Sequence, residues 1–308
     1  MDAAEPKTAN EARKHHYAPR FYLRQFTRDL ARTEAMALTR QHDFVVGEPK
    51  AISRMGYEDD LHAIATKFGR ASIEARINRE IENPIARSPT WATVLAGDYG
   101  ALGEGDIAIL YLLCRHLERR NLATLEFLES EQKRIQTAEF SGDYTVEERV
   151  MHDAIASTPE GRHAFFLEGV LQTTSILREL DEVGVTIVRS PLSLRSSTNP
   201  ALTVPLPLAE RSLRCASGQP SRTWWLPLAP DCGALISIGG KRRGLVHAEG
   251  ESSFARRMNQ MYLVQLLSMP AVRYCLAEDS HIDEDLVWAG YRQVRRSHHK
   301  LRYIKADR

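Results

Sequence analysis

A chain of 308 residues can bury one large core or two closely packed ones, and 43% apolar with 26% charged residues is a folded composition that excludes intrinsic disorder. Its 41 lysines and arginines meet 40 aspartates and glutamates, a formal charge of +1, which excludes a globally polybasic nucleic-acid coat and leaves only local patches open. Cys114, Cys215, Cys232 and Cys275 form no C-x-x-C pair and predict reduced thiols; no stretch nears the ~18 apolar residues of a membrane span and the first residues lack a signal core, so a cytoplasmic protein is expected.

Residues 1–14 are small and polar and read as a mobile arm. The next twelve, His15-His16-Tyr17-Ala18-Pro19-Arg20-Phe21-Tyr22-Leu23-Arg24-Gln25-Phe26, gather aromatics, imidazoles and guanidinium groups around one proline. Proline suits the first turn of a helix, which leaves His16 and Tyr17 extended and places Arg20 to Leu30 in the helix. Arg20 and Arg24 then share a face near His16, a cationic pocket with one titratable member that suits an anion. Glu34 to Val46 alternates weakly and predicts a short strand or hairpin closed by Gly47.

Ile73, Ile77, Ile81 and Ile85 recur every four residues and predict an amphipathic helix over 70–82, ended by Asn83-Pro84. Beside that stripe run Glu74, Asn78 and Glu82. They are either carboxylates turned to a cleft, as acid, base or metal ligands, or a solvated flank paired with Arg76 and Arg79; the second reading is preferred. Ile107 to Cys114 is apolar on every side, so this helix is central, and it runs straight into Arg115-His116-Leu117-Glu118-Arg119-Arg120. Burying an unpaired guanidinium costs on the order of several kcal/mol, so Arg115 and Arg119 must find a carboxylate such as Glu82 or Glu118, a bound anion or water; internal pairing is preferred. Further helices are predicted to about Ile135, from near Thr145, and over 159–182.

At Gly184 the pattern changes. Val185 to Val188, Ala201 to Val204, Thr223 to Leu226 and Ala234 to Ile238 read as strands, and the prolines among them predict a small, irregular antiparallel sheet. The turn Ser196-Ser197-Thr198-Asn199-Pro200 is either an ordinary capped turn or a cradle for a phosphate. Gly239-Gly240-Lys241-Arg242-Arg243-Gly244 reads as an exposed basic loop without phosphate-loop spacing. Helices follow over 251–268 and from Pro270. The fold class expected is α+β, with a mainly helical N-terminal two-thirds and a small irregular antiparallel sheet plus a closing helix pair in the C-terminal third. Its divisions are an arm (1–14), a helical subdomain (15–183), strands with packed helices (184–290) and a basic tail (291–308).

The opening residues also carry a resemblance. His16-Tyr17-Ala18-Pro19 with Tyr22-Leu23-Arg24 and Phe26 resembles the start of the domain-of-unknown-function 4238 family. Ile81-Glu82 is similar to its helical glutamate segment, and Arg119 or Arg120 to its arginine after a long apolar helix. Arg195 to Pro200 resembles its Thr-Ser-Asp-Asn-Pro turn, with Thr198 where the family has aspartate. Trp225 to Pro230 resembles its Phe-Pro-Leu-Ser-Pro strand, and Met258-Asn259 opens its last helix pair, so the resemblance spans about His16 to Glu278. It implies candidate positions and no reaction.

Two functional classes follow. The first is an enzyme acting on a phosphorylated or nucleic-acid substrate, nuclease-like hydrolase or transferase. In it His16, Glu82 and Asn199 are catalytic, with Tyr17, Arg20, Arg24, Arg115 and Arg119 on the substrate. No cofactor is identified, and a divalent metal stays open. The second is a non-catalytic nucleic-acid or protein-binding module using the tail, where Arg292, Arg295, Arg296, Lys300 and Arg302 would neutralise phosphates and Tyr291 and Tyr303 stack on bases. A third reading makes the His16 segment purely architectural.

Overall fold

The computed structural model describes residues 14–27, 31–66, 69–136, 158–204, 222–239, 243–277, 281–297 and 300–306. The chain opens with β1 (Lys14–His16), α1 (Arg20–Leu23), β2 (Glu34–Gln41), β3 (Phe44–Ala51), β4 (Tyr57–Asp59), β5 (Ala63–Thr66) and β6 (Gly69–Ser72). A helical run follows as α2 (Glu74–Ile77), a π-helical stretch Asn78–Glu82 and α3 (Asn83–Ala86), then α4 (Pro89–Ala96), α5 (Ile107–Arg119), α6 (Leu122–Gln136) and α7 (Pro159–Leu171). The remainder comprises β7 (Gly184–Arg189), β8 (Ser196–Ser197), β9 (Leu202–Thr203), β10 (Arg222–Ala229), β11 (Cys232–Ile238), β12 (Gly244–Glu249), α8 (Ser252–Ser268), β13 (Cys275–Leu276), α9 (Ile282–Trp288), β14 (Tyr291–Ser297) and β15 (Lys300–Lys305).

The fold is α+β, but the expectation of a small sheet confined to the last third is overturned. A six-stranded sheet runs β14-β15-β3-β2-β13-β8 and a five-stranded one β12-β7-β11-β10-β9, with two ribbons, β1-β4 and β5-β6. Strands therefore come from both ends of the chain. Within the five-stranded sheet β12 runs parallel to β7. Pro227 is accommodated in β10 because the register slips between Pro227 and Ala229. Among the described residues no helix starts at Pro270. Val272, Tyr274 and Leu276 lie two apart, a strand period, and Cys275-Leu276 pairs with both Leu38-Ala37 and Ser197-Ser196. The tail is likewise a β-hairpin, its strand β15 bonded to β3 from Leu301 to Ile304.

The isoleucine stripe is buried at Ile77, Ile81 and Ile85. Its helix, however, starts at Glu74, since Arg70 lies in β6, and it continues through Asn83-Pro84. The π-helical stretch explains the continuation. The N–H of Asn83 donates to the Asn78 carbonyl, so the α-helical ladder is already interrupted where Pro84 has no N–H to give. Helix α5 is central as expected, with Ile107, Leu110, Leu113, Cys114 and Leu117 at no exposure. Cys114, Cys232 and Cys275 are buried thiols outside any disulfide. Residues 1–13, the helix near Thr145, Cys215 and Gly240 to Arg242 lie outside the described residues; Arg243 donates to the Glu104 carbonyl at 3.0 Å. No described helix is long and apolar enough to cross a membrane.

Candidate functional site

Helix α5 presents two different sets of side chains. His116 and Arg120 are one helical turn apart and point into the protein; Arg115, Glu118 and Arg119 point towards a surface cleft. The residues singled out in the sequence divide between these two places.

The buried set is centred on Arg120, which has no exposed surface. Its Nη2 donates to both Glu74 oxygens at 2.9 Å and its Nη1 donates to Glu82. In a regular α-helix two side chains eight residues apart diverge by roughly 80°. The wider i→i+5 turns of the Asn78–Glu82 stretch offset that divergence, so both carboxylates reach one guanidinium. Glu74 and Glu82 are therefore not the solvated flank; Arg76 and Arg79 pair with Glu80 instead. Three imidazoles complete the set. His62 Nδ1 lies 2.5 Å from Glu74, His116 Nε2 lies 3.3 Å from Glu82, and His15 stacks on His62 while its Nδ1 accepts the His62 backbone N–H at 2.7 Å.

His16 borders this cluster. Its Nε2 accepts from Arg20 Nε at 2.9 Å. Burial, then the charges of Arg20 and Arg120, lower its pKa to about 4, against the opposing pull of Glu74. Burial and Arg120 also lower His62, to about 3, and lower His116, although each touches a carboxylate. For Glu74 burial acts upward, but the bond from His62 and the charge of Arg120 outweigh it and keep the carboxylate ionised. The cluster at neutral pH is thus two carboxylates, one internal arginine and the neutral rings of His62 and His116, with neutral His16 and Arg20 at its rim. Among the described residues no group of three or more His, Cys, Asp or Glu side chains could hold a metal ion, and Arg120 itself fills the space between the two carboxylates.

Several expectations need correction here. Arg20 and Arg24 are both exposed and only Arg20 is seen to bond His16: α1 ends at Leu23 and tightens into a 3-10 turn over Arg24–Phe26, so Arg24 does not continue the helical face of Arg20. Tyr17 is buried beside Thr198 and Arg273, its phenol pKa pushed up by burial, so it is packed inside rather than presented to a substrate. The tail rings are core groups too: Tyr303 is fully buried and its hydroxyl donates to Asp283, and Tyr291 is buried beside the same apolar cluster. Of the tail cations, Lys300 pairs with Glu48 at 3.2 Å, Arg302 lies 3.8 Å over the Phe44 ring, and Arg296 approaches Asp283 at 4.0 Å; Arg292 and Arg295 are exposed on β14.

The second place is a cleft of about 560 Å³ between α5, the start of α6 and the turn before β9. Here Arg115, Arg119 and Asn199 do come together, joined by Arg222. Asn199 is nearly buried, its backbone N–H donates to Ser197 Oγ at 2.9 Å, and its side-chain oxygen has no hydrogen-bond partner among the described residues. The turn is fixed from three sides: Tyr22 bonds Ser196 Oγ at 2.8 Å, Thr198 N–H donates to the Tyr274 carbonyl, and Tyr262 donates to the Pro200 carbonyl at 2.6 Å. Glu118 is the carboxylate of the lining, and it is committed: Arg222 donates to it at 2.6 Å, Trp224 Nε1 at 2.9 Å, and Arg115 lies 3.3 Å away. Neither His16 nor Glu82 lines the cleft.

Sequence reasoning did not single out Arg120, His62, His116 or Arg222 as site residues. The one signal for Arg120 was its place, alongside Arg119, after the long apolar helix. The model of the family described as protein of unknown function (DUF4238) matches residues 14–90, and over that stretch the resemblance to the family holds. The match takes in His15, His16, His62, Glu74 and Glu82, and stops before His116 and Arg120. No curated protein and no solved structure matches the chain.

Proposed function

We propose that this protein binds a phosphate-bearing anion, a phosphorylated small molecule or a nucleic acid, in the cleft of Arg115, Arg119 and Arg222. The observation that carries this reading is the charge of the lining: three guanidinium groups surround one carboxylate, which already accepts from Arg222 and Trp224 and pairs with Arg115. Half-buried guanidinium groups in excess over carboxylates favour an anion that takes several hydrogen bonds at once. Titration calorimetry with tripolyphosphate tests it. Arg119→Ala is expected to weaken binding by about tenfold or more, the usual loss for a charge-assisted bond, while Arg24→Ala leaves it unchanged. Equal affinity in all three proteins overturns the reading.

A second reading keeps the chain as an enzyme on a phosphorylated or nucleic-acid substrate, with His16 and Glu82 in the reaction. It is favoured by one observation, that Glu74 and Glu82 retain 18% and 12% side-chain exposure beside the otherwise buried cluster. An activity screen on phosphate esters and short nucleic acids in which His16→Ala matches the parent protein, with an unchanged melting temperature, removes it.

A further inference from the structure

The cleft does not end at Met269. A second hollow of about 620 Å³ adjoins it, and Thr203, Gln265 and Met269 line both. This second compartment runs along the outer face of α8 to Trp288 at the end of α9, and its character differs from the first. Its walls are Met261, Val264, Met269 and the Trp288 ring, edged by Arg256 and Arg257. Arg256 is engaged with Glu284 at 2.7 Å and with Asp285 at 3.4 Å; Arg257 is exposed on the helix surface. Trp288 is 63% exposed, whereas Trp91, Trp224 and Trp225 are at most 2% exposed. An exposed indole beside the apolar side chains of Met261, Val264 and Met269 makes a continuous apolar wall with a flat face open to a ring.

We propose that the two compartments together form a groove for single-stranded nucleic acid, with phosphates on Arg119, Arg222 and Arg257 and a base stacked on Trp288. The proposal rests on the anion reading of the first compartment and adds the class of ligand. Its argument is complementarity along the groove: cations with a hydrogen-bonding amide at one end, an aromatic face with a flanking guanidinium at the other, and a shared floor between. A phosphorylated small molecule satisfies the first compartment and leaves the second vacant. A polymer that alternates phosphates with flat apolar rings matches both, and stacking on an exposed indole is indifferent to which base is offered. A duplex holds its interior bases in the stack and exposes a ring face only at its two ends.

The full-length protein permits a direct test, because Trp288 is the exposed indole of the four and reports through the red edge of the intrinsic emission. An eight-nucleotide oligothymidylate is titrated at low salt while acrylamide quenching is followed. The expected result is protection of the exposed indole by the oligonucleotide and not by tripolyphosphate. Trp288→Ala should weaken oligonucleotide binding about tenfold, the scale of one lost stacking contact, and leave tripolyphosphate affinity unchanged; Arg257→Ala should weaken the oligonucleotide alone, and the melting temperature should hold in both. Tripolyphosphate binding that depends on Arg119, without protection of the indole or loss in Trp288→Ala, overturns the nucleic-acid groove and leaves the anion site standing. A duplex of the same length binding as tightly as the single strand also overturns it. Failure of Arg119→Ala to affect either ligand removes the anion site as well.

Discussion

The Arg120 guanidinium clamps both oxygens of the Glu74 carboxylate at 2.9 Å although the two residues are 46 positions apart in the chain and the arginine has no exposed surface. Together with Glu82 this joins the rod of α5 to the helical run that carries the isoleucine stripe. Removing one partner of such a pair leaves the others charged and desolvated, a loss of about 3–5 kcal/mol in comparable cases.

Arg120→Met should therefore lower the unfolding free energy by that order, and Arg120→Lys should recover little of it, because an ammonium cannot make the forked contact to Glu74 while also reaching Glu82. Equilibrium unfolding of the three proteins checks this. A loss below about 1 kcal/mol in Arg120→Met would show that water already reaches the carboxylates well enough to solvate them.

Acid should unfold this protein early. His16, His62 and His116 have pKa values lowered in the fold, to about 4 and about 3 for the first two. Unfolded histidine titrates near ~6.5. Between those values the unfolded chain holds more protons, so stability is fully present above pH ~6.5 and is lost as the pH falls towards the folded values, at about 1.4 kcal/mol per pH unit for each histidine. Glu74 acts in the same direction at lower pH, its folded pKa being depressed to about 2. The unfolding midpoint should decline from pH 7 to pH 5, before ordinary carboxylates titrate; a midpoint flat over that interval contradicts the assignment of neutral rings.

Salt should separate the cleft from the tail. With about three phosphates neutralised in the groove, the logarithm of oligonucleotide affinity should fall with the logarithm of salt at a slope near −2. Arg119→Ala should make that slope shallower, and replacement of Arg292, Arg295 and Arg296 by glutamine should not. An equal change in slope from the tail variant would move the interaction to β14.

Tyr303 tests the hairpin as an architectural element. Tyr303→Phe removes the hydroxyl bonded to Asp283 and should cost about 1 kcal/mol. Tyr303→Ala empties a fully buried site and should cost about 3–5 kcal/mol. Thermal unfolding of both, with oligonucleotide affinity of the folded protein unchanged, is the expected pair of results. Truncation after Gly290 should fail for the same reason, since it strips the partner of β3.

What could be read from the chain was what is local. The isoleucine stripe and the apolar run from Ile107 to Cys114 announce their helices because a 3.6-residue period is complete within a few turns, and Val185 to Val188 announces a strand by its branched side chains. Other features were hidden by distance or by composition. Arg120 finds its partners 38 and 46 residues away, and nothing beside it in sequence says so. Tyr291 to Arg308 reads as a basic tail, solvated or laid on nucleic acid, because its charges obscure the inward positions of Tyr291 and Tyr303. The 272–276 segment lost its strand signal to Pro270, which starts helices more often than it precedes two-residue strands. Asn199 and the arginines of α5 were legible as candidates, but their separation from His16 depends on which face of one helix each residue takes.

The six-stranded sheet has a kinetic consequence. The β2-β3 hairpin can close as soon as it is made, yet β3 acquires its outer neighbour only when Leu301 reaches Gly47, about 250 residues downstream, and β2 acquires its own only with Cys275. Until then both flanks of the hairpin are open hydrogen-bonding edges, the kind of surface on which one chain can capture another. During synthesis this protein should lean on a holding chaperone for most of its length, and its yield on refolding should drop steeply with concentration.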